Sequence, residues 1–244
     1  LSIYMLLTLL ALSSGSLLLN FSSPEKYEPF ILISLLLSLA LVPILLTKRK
    51  APKFQKLGSL NIKSLYKISP LAAVSMFCNG FIHSAIFTLA AVYAATMNFS
   101  IFEISLLIFL ISFAGGIFQW PIGFFSDKSD RRMIIIFCTF AASIFCVLSI
   151  KASGTSLENM YLATSVGIDK IMFFIYATLY AGMALPLFTL TLAYINDYIP
   201  KEKFVAAGAG LQIIFGIGAI LGPLVCALLM TKYGTNGFFI HLFI

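Results

Sequence analysis

Short polar breaks divide the sequence into seven long apolar runs, and an eighth begins near residue 237. The runs cover residues 1–21, 29–47, 70–97, 103–126, 133–151, 171–195 and 204–231. A helix that crosses the hydrocarbon core of a bilayer needs about 20 consecutive apolar residues, and each run approaches or exceeds that length. None of them alternates strictly between apolar and polar residues, as the strands of a membrane barrel do. We therefore predict an all-α membrane protein, because only helices satisfy their own backbone in lipid.

The composition excludes a soluble protein. Of the 244 residues, 60% are hydrophobic and 10% are charged, whereas a soluble domain is about 45–50% apolar and about 25% charged. A soluble fold of this size has too little interior to hide so much apolar surface. The net charge of +7 then reports orientation across a membrane. We expect contact with membrane lipid and no nucleic-acid partner.

Both ends of the sequence suggest a piece of a longer protein. There is no initiator Met, and the chain both opens and closes inside an apolar run. We expect a bundle that is truncated at both ends. The first run lacks the basic segment and the small-residue cleavage site of a signal peptide.

The basic residues are distributed unevenly between alternate loops. Residues 48–69, 127–132 and 196–203 hold twelve of the 16 Lys and Arg residues. Because cytoplasmic loops are enriched in these residues, we place these three loops in the cytoplasm. The protein is expected to be a multi-pass protein of the cell's inner membrane.

The longest basic loop marks the expected domain boundary. Residues 48–69 contain seven basic residues and no acid, which fits a cytoplasmic linker or a helix lying on anionic lipid. We predict that residues 1–47 are the last two helices of one bundle. Residues 70–244 then form most of a second, six-helix bundle.

No pattern of catalytic or metal-binding residues is present. The four cysteines lie within apolar runs and have no metal-ligand spacing. There is no P-loop and no paired carboxylate at membrane depth. We expect no cofactor, no metal and no enzymatic activity.

The most specific motif joins the fourth and fifth runs. It contains a glycine, an acid and three basic residues in a very short cytoplasmic loop, namely Gly123, Asp127, Lys128, Arg131 and Arg132. Asp127, Ser129 or Asp130 can cap the next helix. The arginines can pair with Asp127 and with acids of neighbouring helices. A capped, positively charged turn is an equally good explanation of the same residues.

These five residues resemble motif A of the major facilitator superfamily, Gly-x-x-x-Asp-Arg/Lys-x-Gly-Arg-Arg/Lys, although Asp130 replaces the second glycine. The resemblance implies a major facilitator-type helical bundle, with this sequence matching helices five to twelve. Within the superfamily, residues 69–132 and 193–230 look most like YcaD-type transporters, as seen in residues 118–123 and 219–223. In the family, such residues form a cytoplasmic gate that stabilises one access state.

Two runs combine glycine with proline. The fourth run contains Gly115, Gly116 and Pro121, and the seventh contains Gly218, Gly222 and Pro223. Small residues let membrane helices pack closely, and proline permits a kink. We expect close packing or a hinge at these positions.

Five polar residues at membrane depth are candidates for a substrate cavity: Asn79, His83, Gln119, Tyr180 and Gln212. Polar groups in a membrane commonly face a cavity, but Asn and Gln also simply link helices. No Asp or Glu lies near the middle of a run, so His83 is the titratable candidate for a coupling proton. Two alternatives remain. Either the group that binds the coupling proton lies outside this sequence, which we favour, or the protein is a uniporter with no coupled proton.

Together these features predict a secondary active transporter of a small solute that works by alternating access. The scarcity of charge at depth favours a neutral, amphipathic or hydrophobic solute. A multidrug efflux carrier is an alternative, and so is a membrane sensor or assembly protein on a transporter-like scaffold.

Overall fold

The computed structural model describes residues 2–20, 26–47, 62–153 and 169–243. These ranges contain the helices α1 (Ser2–Leu17), α2 (Glu28–Leu46), α3 (Ile62–Ile68), α4 (Pro70–Thr96), α5 (Ile101–Lys128), α6 (Arg131–Ala152), α7 (Lys170–Ala184), α8 (Leu187–Asn196), α9 (Phe204–Tyr233) and α10 (Asn236–Phe243). The prediction of an all-α membrane protein is confirmed. Most of the predicted linker, residues 48–61, lies outside the described residues, and α3 occupies most of its remainder.

Five helical segments of the described chain are long and apolar enough to cross a membrane. They are α4, α5, α6, the pair α7 and α8, and α9 together with the short turn before it. The apolar helices α1 and α2 are shorter by that measure. Of the seven nearly complete spans that the sequence predicts, five therefore meet this length within the described residues.

Polar residues cap the first turns of α5 and α6, at the short loops between spans. Ser100 and Glu103 form a reciprocal capping box at the start of α5, with N···O distances of 3.2 and 2.8 Å. Asp130 accepts a hydrogen bond from the Arg132 backbone N–H and so caps α6. The structure thereby selects Asp130 among the three capping candidates.

The predicted span 171–195 is interrupted in its middle. α7 stops at Ala184 and α8 starts at Leu187, with Leu185 and Pro186 between them. Pro186 has no N–H to donate to the preceding turn, and its ring crowds the carbonyl four residues earlier. One span is therefore two helices with a break at membrane depth.

Buried apolar side chains form two clusters, one above the other along the spans. The cluster far from the Arg131 loop contains Tyr93, Phe173, Phe238 and Phe239, whose rings pack at centroid distances of 5.0 to 6.1 Å. The cluster nearer that loop contains Leu65, Met76, Ile195 and Leu211, all fully buried. The short helix α3 is anchored by Leu65 in this second cluster.

The tightest helix pair is α4 against α9, and glycine makes it possible. A Cβ on Gly218 would clash with the Phe77 backbone carbonyl, and one on Gly222 would clash with that of Phe81. Gly80 on α4 approaches the Phe215 carbonyl in the same way. The two backbones are thus in direct contact over more than one turn.

The helix α1 packs lengthwise along α5 in the antiparallel direction. Leu6 of α1 lies beside Gly116 in the middle of α5, and Ser16 lies beside Ser105 near its start. The large apolar side chains of α2, by contrast, are exposed along most of its length.

Candidate functional site

Arg131 links three helical elements at the end of the bundle predicted to face the cytoplasm. Its guanidinium lies 2.9 Å from the Asp127 carboxylate at the end of α5 and 2.8 Å from the Asp197 carboxylate just after α8. It also donates to Ser126 Oγ at 3.1 Å. We call Asp127, Arg131 and Asp197 the charge cluster. The planar, forked guanidinium of Arg131 can donate to both carboxylates at once.

Arg132 points to two tyrosines that sequence reasoning did not single out. Its guanidinium donates to the Tyr194 hydroxyl at 2.9 Å and to the Tyr198 hydroxyl. Hydrogen bonds with Tyr194 and with Arg132 lower the pKa of the Tyr198 phenol from its usual value. Asp197, Tyr194 and Tyr198 all lie where the broken span meets residues 196–203. That loop is predicted to lie on the same side of the membrane as Arg131 and Arg132, and this shared side was the signal in the sequence that pointed to them.

The remaining motif residues have simpler surroundings. Gly123 is half-buried on α5, one turn before Asp127. The Lys128 ammonium lies 4.0 Å from the centroid of the exposed Phe124 ring, a cation–π distance. The five motif residues thus lie close together. Of these, Arg131 and Arg132 reach other helical elements, and Arg131 is the one that forms ion pairs with two acids.

A groove of about 540 Å³ opens between α4, α6 and the broken span. Its wall is mostly aliphatic, and its polar residues are Ser75, Cys78, Asn79, His83, Thr139, Ser143 and Thr191. None of its lining residues is Asp, Glu, Lys or Arg. The volume is within the range of small-molecule sites, and the lining suits an uncharged ligand.

His83 lies where the groove meets the helix break. Its Nε2 is 3.3 Å from the carbonyl oxygen of Ala184, the last residue of α7. α7 ends at this residue because Pro186 interrupts the helix. His83 therefore contacts the backbone at the break between α7 and α8. The Asn79 amide, one turn earlier on α4, donates to the Ser75 carbonyl at 2.8 Å.

The other three cavity candidates are not part of this groove. Gln119 is buried on α5. Tyr180 is buried and donates from its hydroxyl to the Leu242 carbonyl of α10 at 3.3 Å. Gln212 is exposed on α9. The structure therefore brings Asn79 and His83 together and leaves the other three apart from them.

A second buried histidine was overlooked in the sequence. His241 on α10 is fully buried, its ring packs 4.4 Å from that of Phe81, and its Nε2 lies 3.1 Å from the Phe81 carbonyl oxygen. Within the part of the chain that the structure describes, its Nδ1 has no hydrogen-bond partner. Sequence reasoning treated the run after residue 237 as an incomplete span, so His83 is not the only histidine at depth.

The predicted packing and hinge residues occupy different neighbourhoods. Gly115 lies against the Leu185 side chain at the helix break, and Gly116 lies 3.5 Å, measured from a built Cβ, from the Leu6 carbonyl of α1. Gly218 and Gly222 contact α4 as described above. Pro121 and Pro223 are each half-buried inside a helix, α5 and α9. Among the described residues, no group of three or more His, Cys, Asp and Glu could hold a metal ion.

Comparison with known proteins places this arrangement in a family. The family model described as "Major Facilitator Superfamily" matches residues 72–244. A protein of Escherichia fergusonii named "Uncharacterized MFS-type transporter YcaD" is 24% identical over 98% of this chain. Proteins of the same name from Salmonella paratyphi B and Salmonella newport are 22% identical over the same share.

The chain spans 59% of the length of each of these relatives. No solved structure is significantly similar to it. The family match covers well over half of the sequence and includes the charge cluster, the groove and the broken span. The chain therefore belongs to the major facilitator superfamily.

Proposed function

We propose that the complete gene product is a secondary transporter that moves a small solute across the inner membrane by alternating access. Its family, its membrane-spanning helices and the names of its relatives support transport in general.

The charge cluster is the observation that carries this proposal. In it, Arg131 of α6 pairs with an acid at the end of α5 and with an acid just after α8. Both acids are accessible to solvent, with side-chain exposures of 70% for Asp127 and 49% for Asp197. Exposed ion pairs contribute only about 0–1 kcal/mol each, so such a contact can form and break within a transport cycle. We assign it the role of a cytoplasmic gate.

The groove supports an uncharged or amphipathic solute. Its lining offers amide, hydroxyl and imidazole groups among aliphatic side chains. A charged solute would meet no countercharge in the described lining. Asn79 and His83 are the two residues that we assign to solute contact, and His83 is the group that could carry a coupling proton.

A ligand screen provides the first test. The purified complete gene product is heated with a panel of neutral and amphipathic solutes, because a ligand that binds only the folded state raises the unfolding temperature. Asn79→Ala and His83→Ala should abolish the shift produced by a true ligand. Gln212→Ala, an exposed position outside the groove, is the matched control and should leave the shift intact.

The four cysteines provide an independent test of the same groove. Cys78 is exposed and lines the groove, whereas Cys138, Cys146 and Cys226 are buried. A ligand of the groove should slow the reaction of Cys78 with a maleimide. If Cys78 reacts from neither side of the membrane, the groove is covered by protein or lipid in the complete protein and is not the solute site.

The gate assignment is tested with the solute so identified. Asp127→Ala should slow its uptake into proteoliposomes while leaving the solute concentration for half-saturation largely unchanged. Unchanged turnover would remove the gate assignment. Failure of every solute to be transported would favour a sensor or assembly role instead.

A further inference from the structure

Polar side chains connect α1 to α5 at the end of α5 farthest from the charge cluster. The Asn20 amide, just after α1, donates to Ser105 Oγ at 2.8 Å, and Ser16 Oγ lies 3.3 Å from the Ser105 carbonyl oxygen. Ser105 itself is fully buried. These contacts join the first helical hairpin to the second bundle on the side predicted to face the cell exterior.

Each of these groups also has a partner within its own helix. Asn20 donates to the Leu17 carbonyl at 3.2 Å, Ser16 to the Ser13 carbonyl at 2.7 Å, and Ser105 to the Phe102 carbonyl at 2.9 Å. If α1 and α5 separate, each of these three donors keeps an acceptor. The contact between helices can therefore break without the usual cost of an unsatisfied buried group.

The rest of this interface is suited to separation as well. Ser105, Ser112 and Gly116 lie on one stripe of α5, at seven- and four-residue spacing. The hydroxyl of Ser112 is buried and has no hydrogen-bond partner among the described residues, whereas buried polar groups are ordinarily paired. A Cβ built on Gly116 would be in ordinary contact, at 3.5 to 3.7 Å, with Leu6, Leu9 and Leu10, so this packing is close but not interlocked.

We propose that Asn20 and Ser105 form a reversible latch that holds the outer ends of α1 and α5 together when the cavity is closed to the exterior. The proposal deepens the proposed function, since it assumes alternation between two access states. In the outward-open state the latch breaks, Asn20 and Ser105 keep only their bonds to the carbonyls of their own segments, and water reaches the Ser112 stripe. The charge cluster, at the other end of the spans, does not involve α1.

The test measures water access to the stripe and needs no substrate. In the complete gene product every native cysteine, including the four of this sequence, is replaced by alanine, and Ser112→Cys serves as the reporter. Its reaction with a membrane-impermeant maleimide added outside right-side-out vesicles is followed in time. Asn20→Ala and Ser105→Ala should each raise the labelling rate about three-fold, the factor that an average hydrogen bond between membrane helices represents.

The control and the double variant make the result specific. Ser14→Ala removes an exposed hydroxyl that bonds only within its helix, to Ala11, and should leave the rate unchanged. Because Asn20 and Ser105 act on each other, the double variant should label no faster than either single variant. An oxidised Asn20→Cys, Ser105→Cys pair should suppress labelling at residue 112, and reduction should restore it. Labelling at residue 112 is followed by peptide mass spectrometry, which separates it from reaction of the two added thiols.

Equal rates in Asn20→Ala, Ser105→Ala and Ser14→Ala would overturn the latch. A reporter that reacts in none of the variants would overturn it as well, because the stripe would then never open. If labelling responds as expected but no bound solute is transported, the latch stands and the transport proposal fails.

Discussion

Several buried polar side chains of this bundle are tied to backbone carbonyls of other helices. His83 contacts Ala184 of α7, Tyr180 contacts Leu242 of α10, and His241 contacts Phe81 of α4. Such bonds between membrane helices average about 0.6 kcal/mol and reach about 1.7 kcal/mol. Individually they are weak, but each one fixes the relative position of two helices. The His83 bond matters most for function because it lies at a helix break.

Replacing His83 by Phe should lower the thermal unfolding temperature of the detergent-purified protein. The ring would keep its place beside Phe215, 6.1 Å away, but the donor to the Ala184 carbonyl would be lost. We expect a loss of about 0.6 to 1.7 kcal/mol in unfolding free energy. His83→Gln keeps a donor and should recover part of it. Identical melting of the Phe variant and the wild type would show that the bond contributes nothing.

The candidate residues could be selected from the sequence, but their partners could not. Asn79 and His83 are four residues apart on an apolar run, which predicts one helical face. The partner of His83 depends on Pro186 breaking a span about 100 residues later. Gln119, Tyr180 and Gln212 satisfied the same criterion of polarity at depth, yet each has different surroundings. What separates these three residues from Asn79 and His83 is how far each side chain is buried and which way its helix face turns. The pattern of residues within one apolar run does not determine either.

At the scale of elements, glycine on α9 decides which helix lies against α4. Gly218 and Gly222 meet the α4 backbone, whereas nothing lies within 4 Å of a Cβ built on Gly208 or Gly216. The sequence predicted a close-packing helix from these small residues. It could not distinguish the occupied face from the open one, because the glycines recur on both.

Gly218→Ala should destabilise the protein, whereas Gly216→Ala should not. The added methyl at residue 218 would push α4 and α9 apart, and overpacking of this kind costs about 1–3 kcal/mol. At residue 216 the methyl enters open space and gains the small advantage of alanine over glycine in a helix, roughly 0.5–1 kcal/mol. Thermal unfolding of the two variants in parallel gives the comparison. Equal destabilisation would mean that α4 does not contact the Gly218 face.

At the scale of the whole molecule, charge predicts the orientation across the membrane, and helix pairing sets the architecture of the described helices. Twelve of the 16 basic residues were assigned to one side from the sequence alone, and the helices observed connect those loops in the predicted alternation. The pairing of α1 with α5 and of α4 with α9 was not predictable. It depends on the shapes of whole helix faces, and hydropathy does not record them.

Orientation can be checked at the two ends of α9. Lys201→Cys and Lys232→Cys are matched substitutions, since both lysines are exposed and both changes remove one positive charge. In a background from which all native cysteines are removed, an impermeant maleimide should label Lys232→Cys in intact cells and Lys201→Cys only in inverted vesicles. The reverse pattern would invert the topology and place the charge cluster outside the cell.

The pairing of α1 with α5 also orders events during synthesis. Asn20 and Ser105 are 85 residues apart, and at about 5–20 residues per second a ribosome needs roughly 4 to 17 seconds to cover that distance. During this delay α1 and α2 reside in the bilayer before α5 exists. The hydroxyl and amide groups of α1 are not unpaired meanwhile, because Ser13, Ser16 and Asn20 all bond to carbonyls of their own segment. α1 can thus remain in the bilayer with these side-chain donors hydrogen-bonded until α5 is synthesised.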